Sequence, residues 1–166
     1  VHKVNQIKFY DWISLEQLEK SNERFKSLIN PNIAEYEVGL TLPNYDKNKN
    51  ILKGYIDCIN GNEIYEFKYV TEIKDEHKLQ LSIYMYMFAE INNIKSNDEL
   101  NKYKFFIFNV RYNQIIQIEA TLEQLKLIYD AIVEVKINGH YKKQTDQVFI
   151  DLCLKNKNEY YDKLKI

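Results

Sequence analysis

GYIDCINGNEIYEFK, residues 54–68, decides the fold, and HKLQLSIY, residues 77–84, follows it after a short charged segment. In the first stretch, two apolar-rich runs flank Asn60-Gly61-Asn62. Asn-Gly between such runs is a strong hairpin signal, because both residues tolerate the positive φ angles of tight turns. The sequence therefore predicts two antiparallel strands, and the second stretch predicts a helix after them.

Counting outward from a turn centred on Gly61 and Asn62 gives the register of this hairpin. Directly opposed residues share a face of the sheet, so the acidic and basic side chains of the two strands are predicted to project together. These are Asp57, Glu66 and Lys68, and the predicted apolar face carries Ile56, Cys58, Tyr65 and Phe67. The predicted pairs are Asn60–Glu63, Ile59–Ile64, Cys58–Tyr65, Asp57–Glu66, Ile56–Phe67 and Tyr55–Lys68.

Two adjacent carboxylates repel each other unless positive charge lies between them. Lys68 supplies part of that charge, but a divalent metal ion is the usual solution, and carboxylate oxygens suit Mg²⁺ or Mn²⁺. Such an ion stabilises phosphoryl charge and lowers the pKa of water, while Lys68 orients the water or offsets negative charge in the transition state. The constellation predicts metal-assisted hydrolysis; a surface ladder of salt bridges is the competing interpretation.

The motifs together resemble the PD-(D/E)XK nuclease superfamily. The chain has Gly54-x-x-Asp57, then Glu66-x-Lys68, then a helix with Gln80-x-x-x-Tyr84, and this last element resembles the RecB-type branch. The resemblance covers roughly residues 35–88 and departs from the family name at one position, where Ile56 replaces the proline.

The resemblance implies a role for each matched residue. It implies that Asp57 and Glu66 bind the metal, that the Phe67 carbonyl also binds it, and that Lys68 assists the attacking water. It further implies that Gln80 orients the lysine or the DNA backbone and that Tyr84 supports Gln80. A structural interpretation competes for this last pair, because a core tyrosine and a partly buried amide are common on any helix.

A further carboxylate is expected to complete the site, and its identity stays open between two strand residues and the first helix. Glu35 and Glu37 both lie on the polar side of the predicted strand 35–42, and we prefer Glu37 as the catalytic residue because it is nearer the sheet centre. Many family members use a residue of the first helix instead, which makes Glu19 or Glu23 the alternative.

The predicted fold class is α/β, with a central mixed sheet flanked by helices. Capping boxes at Ser14 and Thr121 predict two helix starts, Gly139 predicts a helix end, and Leu15 and Leu18 begin a predicted buried stripe. The resulting order, αβββαββαα, contains the αβββαβ core of the family. The predicted elements are a helix to about Asn30, strands at 35–42, 51–59 and 63–70, a helix at 77–92, strands at 103–110 and 115–120, a helix to about Asn138, and a last helix near 145–164.

Length and composition fit one domain, residues 1–166. Because the first residue is Val, we expect a domain excised from a larger protein, or a processed chain. No run is long and apolar enough to predict a membrane span. Two cysteines are too few for a disulfide framework, a zinc site or an iron–sulfur cluster, so we expect an intracellular protein.

The sequence thus predicts a Mg²⁺- or Mn²⁺-dependent nuclease whose partner is nucleic acid. Resemblance to the RecB-type branch favours DNA over RNA and suggests fusion to, or assembly with, a helicase, a polymerase or another replication or repair protein. Two alternatives remain: an RNA endonuclease with the same site, and a catalytically inactive member of the fold used for binding or assembly. The net charge of −1 keeps the inactive alternative open, because nucleic acid repels negative charge, but it does not exclude a nuclease whose acidic site is offset by a metal ion.

Overall fold

A computed structural model describes residues 14–43, 51–142, 150–151 and 153–155. The sequence also predicts that Phe9, Tyr10 and Trp12 pack inward and that residues 44–50 form a polar turn. These two predictions, and most of the predicted last helix, lie outside the described residues. The elements are α1 (Leu15–Leu28), β1 (Ala34–Leu42), β2 (Leu52–Asn60), β3 (Glu63–Lys68), α2 (Asp75–Ile91), α3 (Asn97–Leu100), β4 (Lys104–Asn109), β5 (Gln114–Ile118) and α4 (Leu122–Lys142).

The five strands form one mixed sheet in the order β1-β2-β3-β4-β5. All neighbours are antiparallel except β3 and β4, which are parallel. A parallel pair requires a crossover over one face of the sheet, and α2 lies in that connection. The predicted α/β class with a central mixed sheet flanked by helices is therefore confirmed.

The β2–β3 hairpin forms as predicted near its turn, where Gly61 has a φ of 65°. The structure confirms the pairs Asn60–Glu63, Ile59–Ile64 and Cys58–Tyr65, but the pairing of β2 with β3 ends there. The predicted pairs Asp57–Glu66, Ile56–Phe67 and Tyr55–Lys68 are wrong. The two strands diverge because the Asp57 carboxylate accepts the Phe67 N–H, at 2.7 Å, while β3 continues its pairing with β4 on the other side.

The apolar face predicted for the hairpin is confirmed for Cys58, Tyr65 and Phe67 and is wrong for Ile56. Ile56 packs with Ile64 in one cluster, whereas Cys58 packs with Tyr65 in another. The strand opposite explains the change, because Glu37 has a φ of 54° and lies level with Asp57, between the pairs Tyr36–Cys58 and Val38–Ile56. A left-handed residue interrupts the regular alternation of an extended strand, so the two halves of β1 present opposite faces.

The sheet carries a hydrophobic cluster on each face. The α2 face is built around Ile64, Leu81, Met85 and Ile107, and the α1 face around Ile29, Cys58, Tyr65 and Phe108. Helix α1 contacts the sheet through Phe25 and Leu28 in its second half. Its predicted buried stripe is consequently wrong at the start, where Leu15 and Leu18 are 75% and 60% exposed.

Local helix signals were accurate at the starts and less so at the ends. Both predicted capping boxes form, with Gln17 N–H donating to Ser14 Oγ and Gln124 N–H to Thr121 Oγ1, each at 3.2 Å. The predicted end at Gly139 is wrong, because α4 continues to Lys142; a helix tolerates glycine at a modest cost. The short α3 was not predicted. In the described ranges no helix combines the length and apolarity needed to cross a membrane.

Candidate active site

The candidate site lies where β2 and β3 diverge beneath α2. Asp57 stands at the point of divergence, and its Oδ2 atom accepts the main-chain N–H of Phe67 at 2.7 Å. A hydrogen bond from an amide to a carboxylate is a strong one, so it holds the Asp57 side chain in one orientation. The site therefore begins with an acid positioned by the strand next to it.

Glu66 and Lys68 project from β3 toward α2. They are two residues apart in an extended strand and so share a face, and Lys68 Nζ lies 2.6 Å from Glu66 Oε1. Glu66 is only 3% exposed, and among the described residues its second oxygen, Oε2, has no hydrogen-bond partner. A buried carboxylate oxygen without a partner costs free energy, which makes it the most informative atom of the site.

The charge around Glu66 is unbalanced. Burial raises the pKa of Glu66, the hydrogen bond from Lys68 lowers it, and the negative charge of Asp57 raises it again. The pKa of Glu66 is raised overall, so the Lys68 ammonium offsets the burial of this carboxyl group only in part. A further cation would favour the ionised form of Glu66.

Helix α2 holds Lys68 in place through two polar residues. Gln80 Oε1 accepts from Lys68 Nζ at 3.0 Å, and Gln80 Nε2 donates to the Tyr84 hydroxyl at 3.1 Å. The Tyr84 ring in turn lies over Gly54, where an added Cβ would stand 2.6 Å from Cε1 of the ring. The three motifs that carry the family resemblance are therefore linked by a series of contacts that begins at Gly54 and ends at Glu66, with each residue touching the next.

The main-chain groups of Phe67 point toward Asp57. At the two ends of β3, Asn62 and Lys68 carbonyl oxygens accept from Lys104 and Val110 of the β4 region, each at 2.9 Å. Successive residues of a strand direct their main-chain groups to opposite sides, so those of Phe67 face β2. Because the β2–β3 pairing has ended by then, the Phe67 carbonyl lies on the side of the site.

These donors fit a hard divalent cation. Asp57, the second oxygen of Glu66 and the Phe67 carbonyl supply oxygen ligands, which Mg²⁺ and Mn²⁺ prefer. The described residues contain no group of three or more His, Cys, Asp or Glu side chains able to hold a metal ion. Two carboxylates and a carbonyl leave positions for water and substrate oxygens, which is how Mg²⁺ is often bound in enzymes that act on phosphates.

The four carboxylates considered as the further member of the site differ in their position relative to Asp57. Glu37 lies level with Asp57 in the β1–β2 register, although its side chain is exposed. Glu35 pairs with Ile59, two residues further along β2. Glu19 and Glu23 are exposed on α1, which packs on the opposite face of the sheet from Glu66 and Lys68. Among the four, Glu37 is the residue level with Asp57 in strand register, and none of the four belongs to a three-carboxylate cluster within the described residues.

Helix α1 is placed on that opposite face by aromatic packing. The rings of Phe25 and Phe67 meet edge to face with centroids 4.5 Å apart. Arg24 then fastens the helix to the end of β4, donating to the carbonyl oxygens of Val110 and Arg111 at 2.7 Å each. These contacts leave the α2 face free for the polar residues of the site.

Sequence reasoning missed Asn109, a fully buried polar residue at the end of β4. Its amide donates to the Val70 carbonyl at 2.9 Å and accepts from the Val70 N–H at 3.3 Å. It thereby fixes the chain just after Lys68, where β3 ends. The available signal was a lone polar residue in the apolar run Phe105–Val110, which predicts a buried group with specific partners.

Comparison of the chain with protein-family models, with curated proteins and with solved structures found no significant match.

Proposed function

We propose that this protein is a metal-dependent nuclease of the PD-(D/E)XK type that hydrolyses phosphodiester bonds, with DNA as the favoured substrate. The observation that carries the proposal is the buried Oε2 atom of Glu66, which has no hydrogen-bond partner among the described residues although Oε1 of the same carboxylate is paired with Lys68. A carboxylate in that state is poorly suited to a purely structural role, because a salt-bridge ladder would leave both its oxygens solvated or paired.

Asp57 and Glu66 would hold Mg²⁺ or Mn²⁺, with the Phe67 carbonyl as a further ligand. When bound, the ion supplies positive charge at the phosphate and a lower pKa for water. Lys68, held by Glu66 and Gln80, directs an N–H toward the attacking water or a phosphate oxygen. The oxygen of that water bonds to phosphorus as the bond to the 3′ oxygen breaks, which yields a 5′-phosphate and a 3′-hydroxyl.

The fold is compatible with this proposal. The order α1, β1, β2, β3, α2, β4 corresponds to the αβββαβ core of the superfamily, with the short α3 inserted before β4. Preference for DNA, an intracellular location and assembly with a replication or repair protein follow from the resemblance to the RecB-type branch and belong to the same proposal.

Cleavage assays with matched variants test the proposal. Single-stranded DNA, double-stranded DNA and RNA are each incubated with the protein in Mg²⁺, Mn²⁺ or EDTA. We expect metal-dependent cleavage of DNA that D57A and K68A abolish and that D98A retains, since Asp98 is an exposed acid on α3 away from the site.

Each other result assigns the protein to one alternative. Cleavage of RNA alone, with the same response to the variants, identifies an RNA endonuclease. Failure to cut any substrate, together with a melting temperature that neither metal changes, would contradict the nuclease proposal and favour an inactive binding or assembly module.

A further inference from the structure

His77 lies on the same side of α2 as the two residues that hold Lys68. With about 100° of rotation per residue, positions 77, 80 and 84 fall within about 60° of one another around the helix. Gln80 on this stripe contacts Lys68 directly, so His77 occupies the turn of α2 next to that contact, nearer the start of the helix. Position 77 therefore lies on the side of α2 that carries the contact with Lys68.

One ring nitrogen of His77 is already used. Nδ1 accepts the main-chain N–H of Lys74 at 3.0 Å, a contact that caps the helix. An acceptor nitrogen carries no proton, so the neutral ring carries its proton on Nε2. The capping contact thus fixes both the orientation of the ring and the atom that can donate.

The surroundings keep the ring neutral. Burial lowers the pKa of His77, the positive charge of Lys68 lowers it further, Glu76 raises it, and Lys74 lowers it. Two of these three charged neighbours are cations, and one of them is the lysine of the candidate site. A neutral donor in the positive field of two lysines is suited to an anionic oxygen, because all three groups attract negative charge.

We propose that His77 binds the nucleic-acid substrate by donating its Nε2–H to a non-bridging oxygen of a phosphate adjacent to the scissile one. This inference rests on the proposed nuclease function and assigns to that site a second phosphate position. Lys68 acts at the scissile phosphate, and His77, one helical turn before Gln80, contacts the neighbouring phosphate.

Two substitutions separate this role from helix capping. H77N retains an acceptor near the position of Nδ1 and loses the Nε2 donor, whereas H77Q retains a donor near Nε2 and, like Gln17 in α1 and Gln124 in α4, an acceptor that can cap the helix. A hydrogen bond to a charged group contributes enough that its loss lowers kcat/KM about ten- to a hundredfold. We expect that loss in H77N with a nearly unchanged melting temperature. H77Q is expected to keep most activity and to melt near the wild-type temperature, because it keeps both the donor and the capping acceptor.

Substrates that carry a single methylphosphonate, which removes the charge of one phosphate, locate the contact. The wild-type protein should lose activity when the phosphate bound by His77 is replaced, and H77N should not lose more at that position. Equal kcat/KM for H77N and the wild type on the unmodified substrate would overturn the inference and leave the nuclease proposal standing.

If no substrate is cut, a binding measurement tests the proposed contact between His77 and the phosphate. Fluorescence anisotropy with a labelled single-stranded oligonucleotide in Ca²⁺ measures Kd without cleavage. A Kd that rises for H77N but not for H77Q supports the phosphate contact even where the nuclease proposal has failed. An unchanged Kd for H77N overturns the contact.

Discussion

The ring of Tyr84 lies over Gly54 so closely that a Cβ at residue 54 would stand 2.6 Å from the ring carbon Cε1. This contact joins the strand that carries Asp57 to the helix that carries Gln80. Only glycine permits the approach, and the approach places the Tyr84 hydroxyl where Gln80 can reach it. The requirement for glycine in the Gly-x-x-Asp motif therefore comes from its contact with a side chain of α2 and not from the conformation of its own strand.

G54A is expected to destabilise the protein, because the added methyl group forces the ring away. Overpacking of this kind costs about 1–3 kcal/mol, measurable by urea denaturation. G39A is the matched control: its Cβ would stand 3.6 Å from Tyr55, an ordinary contact. The double variant G54A/Y84A should lose less free energy of unfolding than the two single variants lose together, because removing the ring also removes the clash. A G54A protein as stable as the wild type would contradict the contact.

Y84F is expected to lower activity more than stability. It removes the acceptor of Gln80 Nε2, so the amide that orients Lys68 is less well held. Loss of one such hydrogen bond corresponds to about 0.5–1.5 kcal/mol, or roughly two- to tenfold in kcat. Y86F, on the same helix but stacked on Tyr129, serves as control and should cleave normally. Equal activity of Y84F and the wild type would show that the hydrogen bond from Gln80 to the Tyr84 hydroxyl does not contribute to activity.

Mn²⁺ is expected to raise the melting temperature of the wild-type protein. Saturation at about 100 times Kd stabilises the folded state by about 2.7 kcal/mol, which for a chain of this size is roughly 5–10 °C. D57N and E66Q should lose most of the shift in differential scanning fluorimetry. E63Q should retain it, because Glu63 lies in the same strand and accepts from Tyr65 away from the ion. A shift that survives in E66Q would place the ion elsewhere.

Glu37 offers a test in which stability and activity change in opposite directions. Its φ of 54° is strained for a residue with a side chain, so E37G should raise the free energy of unfolding by up to about 1 kcal/mol. If its carboxylate completes the site, the same substitution should lower kcat at least about tenfold. N113G, at a φ of 54°, is the backbone control. Unchanged activity in E37G would remove Glu37 from the site.

The two cysteines are expected to differ in reactivity. Burial, and then the charge of Asp57, raises the pKa of Cys58 to about 11 from 9.0, and its side chain is fully buried. Iodoacetamide at pH 8 should therefore label Cys153, which is partly exposed, and should label Cys58 only in urea, as followed by mass spectrometry. Rapid labelling of Cys58 in the folded protein would show that β2 opens readily.

Cys58 also has a consequence for stability. Because its pKa is higher in the folded than in the unfolded state, the unfolded chain releases the thiol proton first as pH rises above 9.0. The free energy of unfolding should consequently fall between pH 9 and about pH 11. C58A should show a shallower decline in urea denaturation over this range, and an identical decline would exclude the thiol as its cause.

Prediction from sequence was accurate where the signals are local. The turn at Gly61 determined three strand pairs, and Ser14 and Thr121 marked two helix starts, because each depends on hydrogen bonds between residues a few positions apart. The mutual approach of Glu66, Lys68 and Gln80 was also foreseeable, since the first two share a strand face and the third lies on the following helix.

Prediction failed where the position of a residue depends on a contact with a residue distant in the sequence. The Asp57 carboxylate accepts the Phe67 N–H, and the pairing of β2 with β3 ends three residues earlier than the predicted register. Asn109 fixes Val70 across 39 residues of chain, a contact that no local pattern encodes. The left-handed conformation of Glu37 likewise lies in a stretch that alternates regularly in sequence.

Local patterns in the sequence were enough for the types and order of the described elements apart from α3, for the hairpin turn and for the set of polar residues between Asp57 and Tyr84, because spacing and turn chemistry are properties of neighbouring residues. The three-dimensional structure was needed to show that β2 and β3 diverge, that Glu66 is buried with one oxygen lacking a hydrogen-bond partner in the described part of the chain, and that the Tyr84 ring lies over Gly54. Those outcomes depend on how α2 packs on the sheet, where steric fit and desolvation act between groups far apart in the chain.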